Sequence, residues 1–347
     1  MKIWEYTIRR LFIMIFVLVG VTLLVFLLSF LISNPMYLYA GSKTTPQQLQ
    51  AIRIHYGLDQ PVYIQYFKYV QNLIQGDWGQ SVRLSAPVLT AITQRFPYTV
   101  ELALSATLLT IIVGVPLGIV SALRNNRAPD HVSRIFALVG VSLPVFWLGL
   151  LLKIFFFYDF KTYGLPYLPV GGAYDTLSAL TYPLGVMTGR YTGLPIIDTA
   201  LHGNYIMFWD SLTHLVLPTV TLAFISIGVI TRLMRSSMLE VLRQDYIILA
   251  RSKGLSERVV IYRHALKNAL IPTVTVSGLL FAGLLGGAPI TEYIFQWPGV
   301  GNMAVAAIQS NDIALIMGFV LLTAIIIVVA NLAVDILYAF LDPRVKY

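Results

Sequence analysis

The chain has 347 residues, of which 57% are hydrophobic and only 12% are charged, and its formal net charge is +8. A soluble domain of this length is about half apolar and about a quarter charged, so the composition excludes an ordinary soluble globular protein. The sequence contains no cysteine, which excludes disulfide bonds, thiol catalysis and cysteine-ligated metal.

Apolar runs long enough to cross a bilayer recur along the chain, since one span needs about 20 predominantly apolar residues. The six runs are Leu11–Ile32, Thr99–Leu123, Ile135–Tyr158, Leu212–Thr231, Ala269–Thr291 and Ile313–Val334. The fourth run is the weakest, because His214 and Pro218 interrupt it. The first run is longer than a signal-peptide core of about 7–15 residues and is interpreted as an uncleaved helix. We therefore predict an all-α integral membrane protein with six transmembrane helices.

The orientation is predicted from Lys and Arg, which are enriched in cytoplasmic loops. With the N-terminus inside, the inner segments hold 16 of these residues and the outer segments hold 7. Both termini are therefore predicted to be cytoplasmic, in a multi-pass protein of the cell membrane. The positive-inside bias accounts for the net charge, so no nucleic-acid partner is predicted.

The six runs divide the chain into two predicted parts. Residues 1–98 form the first transmembrane helix and an extracytoplasmic segment, and residues 99–347 form a core of five transmembrane helices with a cytoplasmic loop at 233–269. In the extracytoplasmic segment, Thr45 or Pro46 is a plausible helix start and Gly57 a plausible helix stop. That segment is either a solvated connection or a surface for docking or gating.

Glycines are concentrated on one flank of the fifth run. Small residues at this spacing let helix backbones approach closely. The glycines are Gly278, Gly283, Gly286 and Gly287. The pattern is compatible either with packing of this helix in the bundle or with a helix face that lines a transport pathway. For the second run, Gly114 and Gly118 predict helix packing.

Motifs of catalysis are absent from the sequence. It contains no phosphate-binding GxxxxGK[ST] loop, no HExxH, no CxxC and no GxSxG, and its five histidines lack ligand spacing. Five ionisable residues lie near predicted span ends: Glu101, Lys153, Glu292, Asp312 and Asp335. At such positions snorkelling or hydration is enough to accommodate their charges. We predict no catalytic residues, no metal, no cofactor and no proton relay.

The most informative segment is the basic stretch between the fourth and fifth runs, Glu240–Pro272. Its helical spacing predicts one apolar stripe, formed by Leu242, Tyr246, Leu249 and Ala250. Gly254 predicts the end of that helix, and Ser256 predicts the N-cap of a second helix running toward Pro272. Such a helix–turn–helix suits either a cleft on a partner protein or a surface of anionic lipid.

The segment DYIILARSKGLSERVVIYRHALKNALIP (245–272) resembles the EAA loop of ABC-transporter permeases, in the version of the dipeptide/oligopeptide branch of binding-protein-dependent importers. Ala250 and Gly254 match the last Ala and the Gly of that motif, whereas Ile248 and Leu249 replace its Glu and first Ala. Similar segments run along nearly the whole chain, including LDQPVYIQYFKYVQNLIQGDWGQS, SLPVFWLGLLL, TGLPIIDTALHGN, HLVLPTVTLA, EYIFQWPGVG and NLAVDILYAFLDPRVKY.

The resemblance implies a permease subunit of a type I ABC importer that moves di- or oligopeptides inward by alternating access. Its implied partners are a second homologous permease in a heterodimer, two cytoplasmic ATPases that supply the energy, an extracytoplasmic substrate-binding protein and membrane lipid. The EAA loop would be the coupling helix, and the implied coupling residues are Asp245, Tyr246, Ala250, Arg251, Lys253, Gly254 and Leu255. Oligosaccharides or nickel are alternative substrates, and an ion-coupled secondary carrier is the alternative from another class.

Overall fold

The structure, a computed structural model, describes residues 3–32, 38–39, 44–175 and 191–341, with side chains described in 8–29, 38–39, 44–175 and 191–334. The helices in these ranges are α1 Ile3–Ile32, α2 Pro46–His55, α3 Val62–Ile74, α4 Val88–Leu123, α5 Ala128–Ser142, α6 Val145–Thr162, α7 Pro195–Leu201, α8 Tyr205–Val241, α9 Asp245–Ser252, α10 Glu257–Leu285, α11 Pro289–Ile294, α12 Val300–Gln309 and α13 Ile313–Leu341. Two short strands, β1 Gln80–Ser81 and β2 Ala86–Pro87, pair antiparallel. A mostly helical fold is therefore confirmed.

Five helices of the described chain are long and apolar enough to cross a membrane, namely α1, α4, α8, α10 and α13. Helices α5 and α6 meet the same criterion only as a pair, and they are bent by 99° relative to each other. The number of spans is thus five, or six if the bent pair is one span. The bend lies at Leu143, whose backbone is extended (φ −81°, ψ 130°) because the following Pro144 disfavours helical geometry at that residue.

The fourth predicted run is a single long helix, contrary to its weak sequence pattern. α8 has 37 residues, and His214 and Pro218 both lie inside it and are buried. Tertiary packing stabilises the helix across the missing N–H of Pro218, because α8 lies between α4, α5 and α10. The helix also extends to Val241, so the first residues of the predicted loop 233–269 belong to it.

The fifth predicted run, Ala269–Thr291, has different boundaries in the structure. α10 begins at Glu257 and ends at Leu285. Gly287 then takes a left-handed backbone (φ +95°), and Pro289 starts the separate helix α11. A left-handed residue cannot continue a right-handed helix, which explains the earlier end.

The centre of the bundle is the crossing of α4 and α8, which depends on small residues. A Cβ added at Gly118 would lie 2.6 Å from Cβ of Met234 and 2.8 Å from the carbonyl oxygen of Thr231. At Gly114, the nearest atom would be Cγ2 of Ile230, at 3.1 Å. These glycines therefore allow the two backbones to approach, as their spacing predicts.

Replacement of Gly118 by Ala is expected to destabilise the protein by about 1–3 kcal/mol, the usual cost of forcing an extra group into a packed contact. The matched control is Gly283→Ala in α10, where an added Cβ meets no described atom within 4 Å. Thermal unfolding of the purified protein measures the difference. Equal melting temperatures for the two variants would contradict the assigned role of Gly118.

The segment before α4 is hydrogen-bonded to Asp312, the residue that precedes α13. The buried Asp312 accepts hydrogen bonds from Ser81 Oγ (2.6 Å), Arg83 N (3.0 Å) and Leu315 N (3.1 Å). Within this segment α2 begins at Pro46 with Thr45 as its N-cap, and Gly57 is left-handed (φ +63°), so the predicted start and stop of that helix are confirmed.

Candidate functional site

Helix α9 is the short connection between α8 and α10 and contains most of the predicted coupling residues. It begins at Asp245, after an extended Gln244 (φ −73°, ψ 147°), whereas Leu242 caps the end of α8. The predicted stripe that included Leu242 on the same helix is therefore wrong. The residues that α9 buries are Ile247 and Ala250.

The buried face of α9 packs against both neighbouring membrane helices. Ile247 and Ala250 belong to one apolar cluster with Met234 and Met238 of α8 and with Val260, Ala265 and Ala269 of α10. Ala250 thus faces the chain's own core, and its role in coupling stays a prediction. Because α9 shares a core with α8 and α10, a force on α9 acts on both helices.

The opposite face of α9 is apolar and open. Ile248 and Leu249 are 53% and 55% exposed, and Tyr246 and Leu255 are also exposed. Ile248 and Leu249 are the two residues that depart from the general EAA consensus. We call Tyr246, Ile248, Leu249 and Leu255 the α9 patch.

The turn after α9 depends on Gly254. Its backbone is left-handed (φ +77°), its N–H donates to the carbonyl of Arg251 (2.9 Å), and Leu255 N donates to the carbonyl of Ala250 (3.4 Å). Ser256 occupies the predicted N-cap position, although its side chain makes no capping hydrogen bond within the described residues. The following helix does not end near Pro272 but continues through it as α10.

The charged residues around this turn have different environments. Arg251 donates two hydrogen bonds to Glu257, at 2.6 and 3.1 Å, which bridges the turn. Asp245 and Lys253 are exposed, at the first turn and the C-cap of α9. Arg251 is thus engaged within the chain, whereas Asp245 and Lys253 are open to a partner.

A buried ion pair, which the sequence did not reveal, lies at the same end of the bundle. The carboxylate of Asp130 in α5 accepts hydrogen bonds from Nε (2.7 Å) and Nη2 (2.9 Å) of Arg235 in α8. The carboxylate also accepts hydrogen bonds from Ser121 Oγ of α4 (2.6 Å) and from Asn126 N (2.9 Å). This arrangement joins α4, α5 and α8 next to the base of α9.

The glycines of the fifth run fall into different environments. Gly278 and Gly286 face α13, where an added Cβ would lie 3.1 Å from Val334 Cγ2 and 3.0 Å from Thr323 Cγ2 respectively. Gly287 lies outside the helix and approaches the backbone of Gly301. Gly283 meets no described atom, so it alone of the four leaves open space beside α10.

Glu292 organises the opposite end of the core, within the EYIFQWPGVG segment. Its carboxylate is fully buried and accepts Asn302 N (2.8 Å), Thr99 Oγ1 (3.1 Å) and Ala288 N (3.3 Å). Burial raises the pKa of Glu292 above its ordinary value, while hydrogen bonds, that from Asn302 first among them, act in the opposite direction. An added Cβ at Gly299 would collide with this carboxylate, which explains the glycine of the motif.

The expectation that the ionisable residues at span ends are hydrated is therefore wrong for Glu292 and Asp312, and also for the buried Glu101, which accepts Ile196 N (2.8 Å). Lys153 is half-buried and donates to the carbonyl of Ile294 (3.0 Å). The side chain of Asp335 lies outside the described residues. These groups attach loops to the bundle through hydrogen bonds between residues that are far apart in the sequence.

A cavity of about 750 Å³ opens where α4 and α8 begin, at the end of the bundle opposite α9. Arg95, Asp175 and Asp210 are charged residues in its lining, beside Tyr98 and His214. Asp210 accepts the backbone N–H of Asp175 (2.7 Å) and lies 3.4 Å from Nδ1 of His214. The cavity thus combines both signs of charge with aromatic surface.

Comparison with known proteins covers nearly the whole chain. Residues 114–347 match the family described as "Binding-protein-dependent transport system inner membrane component", and residues 3–103 match the N-terminal family of the same membrane components. The probable D,D-dipeptide transport system permease protein DdpB of Escherichia coli K12 is 42% identical over 347 residues, covering 99% of this chain and 98% of that protein. The oligopeptide transport system permease protein AppB of Bacillus subtilis is 35% identical over 344 residues, covering 99% of each.

Proposed function

Since the chain belongs to the family of binding-protein-dependent transport system inner membrane components, we propose that it is a permease subunit of an ATP-driven importer of di- and oligopeptides. The observation that carries the proposal is that relatives named as dipeptide and oligopeptide permeases align over 98% or more of this chain. Members of this family are transport permeases, so the subunit itself catalyses no reaction. ATP hydrolysis belongs to separate subunits.

The proposed topology has six spans and cytoplasmic termini. Counting the bent pair α5 and α6 as one span gives an even number, and the excess of Lys and Arg on one side supports the orientation. Of the basic residues on that side, Lys2, Arg344 and Lys346 lie outside the described residues. Reporter fusions after α1 and after α8 test the topology, because they are expected to report opposite sides of the membrane.

Helix α9 is the proposed coupling element, within a cytoplasmic loop at 233–269. The α9 patch would bind an apolar cleft on an ATPase subunit, with Asp245 and Lys253 at the rim of the contact. Ala250 would hold α9 against α8 and α10, and Gly254 would set the turn that follows α9. Two such permeases, this chain and a homologous partner in a heterodimer, would rest on two ATPases and receive peptide from an extracytoplasmic binding protein. Closure of the ATPases would push α9 and, through their shared core, tilt α8 and α10 between inward- and outward-facing states.

The division into residues 1–98 and a permease core at 99–347 stays part of the proposal, with its boundary inside α4, which begins at Val88. The hairpin at β1 and β2 and the contact of Asp312 with Ser81 hold the first part on the extracytoplasmic end of the second. Of the fifth-span glycines, Gly283 is the one proposed to face the pathway, and Gly278 and Gly286 are proposed to serve packing.

A peptide substrate suits the mixed charge of the cavity, because a peptide carries an ammonium and a carboxylate at its two ends. Arg95 and Asp210 supply the complementary charges beside Tyr98. The relatives reported above are named as dipeptide and oligopeptide permeases, which favours peptides over the alternative substrates, oligosaccharides and nickel.

Reconstitution of the chain with its partner permease, the ATPases and the binding protein in proteoliposomes tests the function. Labelled dipeptide is expected to accumulate only with internal ATP and binding protein. Uptake that needs an ion gradient and collapses with an uncoupler in ATP-replete vesicles would instead identify an ion-coupled carrier. Failure of any ATPase to co-purify with the chain would also contradict the proposal.

Replacement of Leu249 by Asp is expected to weaken association with the ATPase subunits by about tenfold, because truncating or charging one anchor of an interface costs roughly 1–2 kcal/mol or more. Leu249 is 55% exposed, so the folded chain loses no core contact. The matched control is Ile54→Asp in α2, an apolar residue that is 65% exposed on the opposite end of the protein. Binding of purified ATPase to reconstituted permease measures the effect, and equal affinity for both variants would exclude the α9 patch as the docking surface.

A further inference from the structure

Helix α3 lies beside the middle of a transmembrane helix and not beyond its end. The hydroxyl of Tyr66 is 3.0 Å from Oγ1 of Thr22 and 3.2 Å from the carbonyl oxygen of Val19, to which it can donate. Both contacted residues of α1 lie inside its apolar stretch Ile8–Ser29. A helix in the aqueous phase could not reach this depth.

A second transmembrane helix places α3 at a similar depth. Tyr69 and Leu73 line one small cavity with Met317 and Leu321 of α13. Leu321 is eight residues from the start of α13, which corresponds to roughly 12 Å along the helix axis at about 1.5 Å per residue. The hydrocarbon core is about 30 Å thick, so α3 lies at the level of one leaflet.

Helix α3 has one apolar side and one polar side that face away from α1 and α13. Tyr63, Phe67 and Ile74 are 74%, 71% and 82% exposed and, with Val70, follow the spacing i, i+4, i+7 and i+11 of a single helical stripe. We call these four residues the α3 stripe. A separate side carries polar residues, namely Lys68, Gln71, Asn72 and Gln75.

We propose that α3 is embedded in the membrane interface and that the α3 stripe binds lipid acyl chains. Only 11% of the apolar window of α1 is buried within the chain, so the helix that Tyr66 contacts leaves most of its apolar surface open to lipid. The α3 stripe and the apolar surface of α1 would then both contact acyl chains, and the polar side of α3 would contact headgroups and water. Placement in the extracytoplasmic leaflet rests on the topology proposed above, whereas contact with lipid does not.

The test uses single cysteines, because the chain has none of its own. Phe67→Cys and Ile74→Cys place a spin label on the α3 stripe, and Gln71→Cys is the control on the polar side of the same helix. The labelled chain is assembled with cysteine-free partner permease and ATPases in lipid nanodiscs. Collision rates are then measured with oxygen, which partitions into hydrocarbon, and with a water-soluble nickel chelate.

The ratio of oxygen to nickel accessibility is expected to be several-fold higher at positions 67 and 74 than at position 71. High nickel accessibility at both stripe positions would overturn the proposal in favour of a solvated surface. Protection from both reagents would overturn it in favour of a protein contact, and protection that appears only after the binding protein is added would identify that partner. None of these outcomes depends on transport activity, so a failure of the complex to transport peptide would leave this result unaffected.

Discussion

Replacement of Gly254 by Val is expected to leave the protein in the membrane and to uncouple peptide uptake from ATP hydrolysis. Gly254 has a left-handed backbone (φ +77°), which costs roughly 1–2 kcal/mol for a residue with a side chain and more for a β-branched one. No described atom lies within 4 Å of an added Cβ, so the substitution introduces no collision. The strain is relieved by changing the turn, and this change redirects the α9 patch.

The measurement compares ATP hydrolysis and peptide uptake in reconstituted vesicles at equal amounts of assembled complex. We expect uptake to fall at least about tenfold, which corresponds to about 1.4 kcal/mol of lost coupling. ATP hydrolysis is expected to continue, because the substitution alters the permease and not the ATPase subunits. Normal uptake by Gly254→Val at normal expression would refute the assignment of this turn.

The chain contains a closely matched control for that substitution. Gly164 also follows its helix by two residues, is left-handed (φ +68°) and has no described atom within 4 Å of an added Cβ. It is followed by Leu165, whose N–H donates to the carbonyl of Phe160 (2.8 Å), as Leu255 donates to Ala250. Gly164→Val therefore imposes the same backbone strain away from α9, and we expect it to preserve coupling.

Replacement of Asp130 by Ala is expected to destabilise the protein by about 2–3 kcal/mol. Loss of one partner from a buried ion pair typically costs about 3–5 kcal/mol, because the other charge is left uncompensated. The expected value is lower here, because the side chain of Arg235 keeps 20% of its exposure and can recover some hydration. The hydrogen bonds from Ser121 and Asn126 are lost with the carboxylate.

Thermal unfolding of the purified protein in detergent and in nanodiscs measures this loss. The control is Asp59→Ala, which removes an exposed ion pair with Arg53 at 3.9 Å and is expected to change stability by less than about 1 kcal/mol. Arg235→Lys separates charge from geometry, because a lysine keeps the charge but cannot make the bidentate contact. If Asp130→Ala unfolds at the same temperature as the control, the pair does not hold α4, α5 and α8 together.

The coupling element illustrates what a local pattern can and cannot predict. The position of Gly254 predicted a left-handed turn correctly, because that requirement concerns one residue and its immediate neighbours. The helical stripe of the same segment was assigned wrongly, because nothing in its periodicity reveals the break between Leu242 and Asp245. Which apolar residues become buried depends on α8 and α10, and these helices select Ile247 and Ala250.

The charged residues at span ends show the same limit more clearly. Asp130 and Arg235 are separated by 105 residues, and Thr99 and Glu292 by 193. No spacing rule relates positions so far apart in a single sequence. The sequence correctly marked Glu292 and Asp312 as ionisable groups close to span ends, but hydration was the wrong expectation, since both are buried and hydrogen-bonded.

The sequence by itself determined the mostly helical membrane architecture, since a polar backbone in hydrocarbon must form its own hydrogen bonds and long apolar runs must cross the bilayer. It also determined the family through ordered motifs along the whole chain, and the sharp turn at Gly254. Only the tertiary structure decided the bend between α5 and α6, the unbroken course of α8 through Pro218, the burial of Ala250 and the position of α3 beside α1 and α13. These features depend on contacts between distant segments, whose packing energies exceed the local preferences on which a sequence pattern is based.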